Sequence, residues 1–454
     1  MQQIWAETAL LSTGWADRVL LTVADDGTLD SVAPGSAPRG QRTGVLLPAP
    51  ANVHSHAFQR AMAGLTEQRG PDPADSFWTW RRLMYQFLDR LNPDHVEAIA
   101  ALVQLEMLEA GYAANAEFHY LHHQSDGTPY ADPAEMAQRI AGAAAQSGIG
   151  LTLLPVHYQY GGCDQRPLGA GQVRFGNDFD QFARLHEASR AAISILQNDC
   201  TLGTAPHSLR AVSAADVKKH VKLAGSGPFH MHLAEQLAEL KECQAVLGCT
   251  PAEWVLANLP LTPRYCFIHC TQMQPAETVA LARSGVVAGL CPSTEFNLGD
   301  GIFDAVRWLE NSGKVGIGSD SNVRIALAEE LRMLEYSQRL RDHSRAALAT
   351  PDQSSGRRLF DAICHGGANA AARNSGEIAP GKLADLVALD RNAIDLAGQS
   401  GDTLLDCYIF AGGNDHVTDV WSAGRHMVRE GRHIHREAIV ARYLAVKQLL
   451  LATA

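Results

Sequence analysis

The chain contains no apolar run approaching the ~20 residues that a membrane-spanning helix needs, and its mean hydropathy is slightly negative at -0.11. A span is excluded. No basic segment opens the sequence, and Glu7 and Asp17 interrupt the apolar patches there, which argues against a secretory signal and predicts a cytoplasmic protein. None of the nine cysteines is spaced Cys-x-x-Cys; Cys266, Cys270 and Cys291 lie in apolar stretches and read as reduced core thiols. Positive charge is in deficit, with 38 Lys and Arg against 49 Asp and Glu, and the net charge of -11 argues against nucleic acid and anionic membrane as partners. Any anion site must therefore be built locally from particular Arg side chains. There is no low-complexity tract and no internal repeat beyond an alternation of strands and helices. The 46% of hydrophobic residues nevertheless suffices for a substantial core.

What is present is a series of short apolar segments, each delivering a metal-type or acid/base side chain at its end. The run Leu46 to His56 closes with His54-Ser55-His56. Residues i and i+2 of a strand project to one side, so two neutral imidazoles there can share a divalent ion, and a catalytic site would complete the set with ligands further along the chain. Phe229-His230-Met231-His232-Leu233 carries His232 near its end, with Glu235 three residues on. Tyr265-Cys266-Phe267-Ile268-His269 ends in a histidine, and Val315-Gly316-Ile317-Gly318-Ser319-Asp320 in an aspartate. Parallel barrels of eight βα units gather chemistry at the carboxyl ends of their strands, where residues distant in sequence converge. The length of 454 residues accommodates one such barrel and a small satellite.

Residues 1–47 alternate apolar and polar between turn signals (Asp25-Asp26-Gly27, Pro34-Gly35-Ser36), which predicts strands that pair with a C-terminal portion at 374–435. The barrel would occupy 48–373, and a helix would close the chain at 436–454. Asn92-Pro93 has the form of an N-cap followed by Pro at the first helical position, and Val96, Ile99, Val103 and Met107 recur at helical spacing before Gly111. The long segment from Gly64 to Leu91, with Arg69-Gly70-Pro71-Asp72-Pro73 and then Phe77, Trp78, Trp80, Arg81 and Arg82, reads as a lid or wall over the carboxyl ends of the strands.

The ordered set His54, His56, His232, Glu235, His269 and Asp320 resembles the amidohydrolase superfamily, across nearly the whole chain. Gly376 to Val387 and Val420 to Arg425 are similar to the strands by which these enzymes rebuild a small β-domain after the barrel. The resemblance implies a (β/α)8 TIM-type barrel with a small β-sandwich domain built from both chain ends. Two-metal members bridge their ions with a lysine or glutamate on the fourth strand; Cys200 to Arg210 offers neither. A one-metal site is implied, with His54, His56, His232 and Asp320 as ligands. Three imidazoles and a carboxylate suit Zn²⁺, with Fe²⁺ as the alternative. By the same analogy His269 stays off the metal and orients the attacking water, Asp320 also accepts its proton, and Glu235 carries a proton to the leaving nitrogen.

Asn52 to Gly64, Ala116 to Tyr120, His207 to Val212 and Ser293 to Gly301 narrow the resemblance to the formimidoylglutamate deiminases. That family implies substrate contacts from Gln59, Arg81, Tyr120, His207 and Arg210, a homodimer, and hydrolytic release of ammonia from N-formimidoyl-L-glutamate. Independently, two Arg beside a metal site in an acidic protein are what a dicarboxylate requires. Arg81 matches the family position, and Arg82 beside it is the competing candidate. His122, His123, and His157 with Tyr158, are further candidates for the mouth of the site. A heterocycle deaminase using the same chemistry is the second reading, and a catalytically silent scaffold of this fold the third.

Overall fold

A computed structural model describes residues 1–67, 77–197 and 199–452, excepting the side chains of residues 77–79 and 82. Eight parallel strands form the central sheet: β1 (Ala51–Ser55), β2 (Ala114–His119), β3 (Gly150–His157), β4 in two short pieces (Thr201–Leu202 and Ala205–Pro206), β5 (Phe229–Leu233), β6 (Tyr265–His269), β7 (Val287–Leu290) and β8 (Lys314–Ile317). Ile317 of β8 pairs with Asn52 of β1. A parallel bridge from Thr204 to Phe229 joins β4 to β5, so the sheet closes on itself as the (β/α)8 barrel. Every residue of β1, β2, β3, β5 and β6 is buried, as a sheet covered on its outer face by helices requires.

Close packing at the seam depends on glycine. A Cβ on Gly318 would lie 2.7 Å from the His54 Cβ and 2.8 Å from the His54 carbonyl oxygen. Only Gly lets the end of β8 approach the His-bearing end of β1.

The helix Pro93–Glu109 begins as its sequence predicts: Asn92 Oδ1 accepts from the His95 amide at 2.9 Å and Pro93 fills the first position. Val96, Ile99, Val103 and Met107 are all buried. The other faces are largely buried too, because the terminal helix Arg436–Ala452 packs against this one. Arg442 pairs with Glu97 at 2.7 Å, and Arg436 pairs with Glu109.

The second sheet joins both chain ends and makes the small β-sandwich domain. Gln2–Leu11, Gly14–Val23, Leu29–Ala33 and Gln41–Pro48 come from the N-terminal portion, and Leu386–Leu389, Val417–Ser422, Arg425–Arg429 and Arg432–His433 from the C-terminal one. The two meet where Leu386 to Leu389 run antiparallel to Pro48 to Val45. Ile4, Val19, Leu21, Leu46, Leu386 and Trp421 form its own apolar cluster. A buried ionic joint ties it to the barrel: Arg373 donates to Asp385 at 2.5 and 2.8 Å and pairs with Asp199 at 2.9 Å, while Arg425 holds Asp199 from the small domain. Among the described residues, no helix is long and apolar enough to cross a membrane.

Candidate active site and metal centre

At the carboxyl end of β1, His54 and His56 face the same way, and β5 brings His232 to them. His54 lies edge-on to both partners, 4.6 Å from His56 and 4.9 Å from His232 between ring centres. Donor atoms of the three rings fall within 4.8 Å of one another, as do those of His54, His269 and Asp320. His56 Nδ1 donates to the Phe118 carbonyl at 2.9 Å and His232 Nδ1 to the His207 carbonyl at 3.0 Å. A carbonyl only accepts, so both protons sit on Nδ1 and both Nε2 lone pairs point into the cluster.

His54 is fully buried, and neither of its ring nitrogens has a hydrogen-bond partner among the described residues. An orphaned buried imidazole is costly unless something outside the polypeptide uses its lone pair. Its Nε2 stands 3.6 Å from Asp320 Oδ1, and His56 Nε2 stands 3.3 Å from the same oxygen. Burial, reinforced by neighbouring imidazoles, holds the His54 and His232 pKa values well below normal, and burial lowers His56 to about 4. All three rings are therefore neutral, as ligands must be. Asp320 is pushed up to about 7 by burial, with His269 opposing. Three neutral imidazoles and a carboxylate converging on one point fit a divalent ion.

Beside this cluster, His269 Nε2 lies 3.8 Å from Asp320 Oδ2 and 3.9 Å from Glu235 Oε1, while His269 Nδ1 meets Glu295 Oε1 at 3.2 Å. Burial works to lower the His269 pKa, but the Glu295 hydrogen bond and the surrounding carboxylates outweigh it and raise the value to about 10. Glu235 accepts from Arg210 Nη2 at 2.5 Å, and Arg210 Nε lies 3.8 Å from Glu239 Oε2. Burial would raise the Glu235 pKa; Arg210 and His269 overcome it and lower the value. The backbone is strained at the same place: Ala234, His269, Cys270, Asp320 and Asn322 all have φ between 46 and 70°. Left-handed non-glycine residues cost about 1–3 kcal/mol each and cluster at functional sites.

A cavity opens over the cluster. His56, His232, Glu235, His269 and Asp320 line it together with Gln59, Arg81, Tyr120, His207 and Arg210, so the sequence-predicted residues converge, with His54 beneath the floor. Gln59 Nε2 donates to the Tyr120 hydroxyl at 3.1 Å, and Arg81 donates to the Tyr158 hydroxyl. Trp80 and Tyr158 also line the wall. Residues 69–73 and the side chains of Phe77, Trp78 and Arg82 lie outside the described residues.

His122, His123 and His157 do not line this cavity. His122 Nε2 contacts the Val156 carbonyl at 2.8 Å and His123 Nε2 the Gly176 carbonyl at 2.9 Å, while His157 bridges the Asn177 carbonyl and His220. Their rings tie loops down behind the wall. A sequence shows a histidine after a strand but not whether a backbone carbonyl has already taken it.

Sequence reading missed several residues that shape the site. Asn52 accepts from the His54 and Ser319 amides at 3.2 and 3.3 Å and donates to Ser319 Oγ at 2.7 Å, pinning β1 to the Asp320 turn. Glu117 accepts from the Ala57 amide at 2.7 Å and fixes the chain just after His56. Glu295 lies within the Ser293 to Gly301 motif but has no role assigned from sequence, and Glu239 is unmarked there. The available signal was a polar residue inside an apolar strand, as with Asn52 and Glu117, or a carboxylate near one.

Residues 45–427 match the model of the amidohydrolase family, and residues 1–42 match that of the formimidoylglutamate deiminase HutF N-terminal domain. The chain belongs to the amidohydrolase family. A formimidoylglutamate deiminase of Pseudomonas aeruginosa is 48% identical over 456 residues, covering 99% of this chain and 100% of that protein. An 8-oxoguanine deaminase of the same organism is 26% identical over 90% of this chain and 88% of its own length. Among solved structures, an amidohydrolase from Brucella melitensis superposes with a TM-score of 0.95 at 44% identity, covering 99% of this chain and 100% of that one. A zinc-bound adenosine deaminase from Xanthomonas campestris shares the amidohydrolase fold, with a TM-score of 0.82 at 21% identity, over 99% of this chain and 98% of its own.

Proposed function

We propose that this amidohydrolase catalyses hydrolytic deimination of N-formimidoyl-L-glutamate to N-formyl-L-glutamate and ammonia, a reaction of histidine degradation. The observation that carries the reading is the pairing of two guanidinium groups, Arg81 and Arg210, with a proton-transfer cluster in one cavity. A dicarboxylate needs two such partners, and planar guanidinium matches carboxylate geometry. A heterocycle offers neither charge.

His54, His56, His232 and Asp320 would hold one divalent ion per chain, with zinc as our assignment. Such an ion, when bound, lowers the pKa of a water toward about 7 and supplies the nucleophile at neutral pH. His269 orients that water through Nε2, and Asp320 accepts its proton. Glu235 relays a proton to the terminal imino nitrogen. The water oxygen forms a bond to the formimidoyl carbon, the bond from that carbon to the terminal nitrogen breaks, and its electron pair leaves as ammonia. The carbon keeps its bond to the glutamate nitrogen as an N-formyl amide. Gln59, Tyr120 and His207 position the substrate, with the carboxylates on Arg81 and Arg210. The assembly we propose is a cytoplasmic homodimer.

The test is product analysis on a panel of linear amidines and nucleobases. Ammonia and N-formylglutamate from the dicarboxylate, with slower or no turnover of nucleobases, are expected. Formamide and glutamate as products, or faster release of ammonia from a nucleobase, would overturn the reading.

A further inference from the structure

Glu239 sits one helical turn after Glu235, in the first turn of the helix Leu237–Leu247, and is 1% exposed. Its Oε2 accepts from the Glu235 amide at 2.9 Å and faces Arg210 Nε at 3.8 Å. Its Oε1 has no hydrogen-bond partner among the described residues. A helix-capping role uses only the first oxygen, and a half-satisfied buried carboxylate calls for a further reason. Arg210 does not reach Oε1, but it stands between Glu239 Oε2 and Glu235 Oε2, with its Nη2 on the latter at 2.5 Å, so charge pairing gives the burial of Glu239 a reason beyond capping.

The two ends of this ion triad differ. Glu235 lines the cavity with Arg210, whereas Glu239 lies behind it. An incoming carboxylate therefore competes with Glu235 and leaves Glu239 in place. While Arg210 holds Glu235 Oε2, a strong charge-assisted hydrogen bond fixes that carboxylate with only Oε1 turned toward His269, and so restrains the rotation a proton shuttle needs. We propose that Glu239 is a positioning residue that anchors Arg210 while this guanidinium exchanges Glu235 for a substrate carboxylate, so that recognition of the dicarboxylate frees the shuttle. The inference rests on the function proposed above. It makes one carboxylate of the substrate a requirement for turnover as well as for binding.

The experiment measures kcat and KM for ammonia release by metal-loaded wild-type protein on N-formimidoyl-L-glutamate and on its two analogues lacking either the α- or the γ-carboxylate. One analogue is expected to lose about tenfold or more in kcat, the size of a proton-transfer contribution, while the other mainly raises KM. Glu239→Gln should narrow the kcat gap between the dicarboxylate and that first analogue to about threefold or less, whereas a capping role would shift thermal stability and leave the gap intact. Unchanged kcat on both analogues would overturn the inference without any variant having to fold. Failure of the dicarboxylate itself to turn over would instead overturn the functional reading and the inference with it.

Discussion

Glu295 accepts a hydrogen bond from His269 Nδ1 at 3.2 Å, and this contact decides which ring nitrogen faces the reacting groups. Glu295 is itself held by the Cys291 amide, which donates to the same Oε1 at 3.0 Å. With the Nδ1 proton committed to Glu295, Nε2 is directed at Asp320 and Glu235. The carboxylate thus sets the orientation of a ring that sequence alone marks only as the end of an apolar strand.

Replacing Glu295 should therefore lower kcat without removing the metal. Misplacing a catalytic group by about 1 Å can cost up to about 100-fold in rate. Glu295→Ala is expected to fall in that range, and Glu295→Gln, which keeps an acceptor for Nδ1, to lose less. Steady-state kinetics with elemental analysis of each variant checks this; equal loss in both variants, or loss of metal, would contradict it.

One ion per chain is expected, because the described part of β4 supplies no lysine or glutamate between Thr201 and Arg210 to bridge a second. Chelation should abolish activity and lower Tm, since a ligand bound only by the folded state stabilises it. His54→Ala should abolish tight binding. Two tightly held ions per active chain would refute the assignment.

The strand-end histidines and Asp320 were legible in sequence because period-two geometry and barrel topology leave few places for them to go. Capping preferences likewise located Asn92 and Pro93 at a helix start. What sequence did not reveal lies in contacts between segments far apart in the chain. Glu295 reaches His269 across 26 residues, and Asn52 reaches Ser319 across 267. His122 and His157 show the converse: each had the right residue type at or after a strand end, but a backbone carbonyl elsewhere in the chain had already fixed its ring.

Glu235→Gln should retain the metal while losing the proton relay. A loss of about 10²- to 10⁴-fold in kcat is expected. Pre-steady-state measurement should show no burst of ammonia. Near wild-type turnover at unchanged metal content would assign the relay elsewhere.

Arg373 should govern stability more than activity. It lies in the joint between barrel and small domain, with Asp385 and Asp199 both buried around it. Removing one partner of a buried ion pair strands the others and costs about 3–5 kcal/mol. Arg373→Met is expected to lose that much in denaturant unfolding. Arg425→Met, at a side chain 26% exposed, should lose clearly less. Equal losses would mean that burial does not set the cost.

Glu330 supplies a pH signature of the same scaffold. It is buried, accepts from the Ser293 amide at 2.8 Å and from Ser293 Oγ at 2.5 Å, and so holds the start of the segment that carries Glu295. Burial raises its pKa from 4.5 to about 8 despite the Ser293 hydrogen bonds. Between those values the folded protein keeps a proton that the unfolded chain releases, so this group's contribution to stability is complete below about pH 4.5 and is lost as pH rises toward about 8. Glu330→Gln, which cannot ionise, should therefore gain in Tm relative to the wild type as pH is raised through that window. The difference between the two melting curves isolates this carboxyl from every other titrating group. A gap independent of pH would show that Glu330 is ionised in the folded protein throughout.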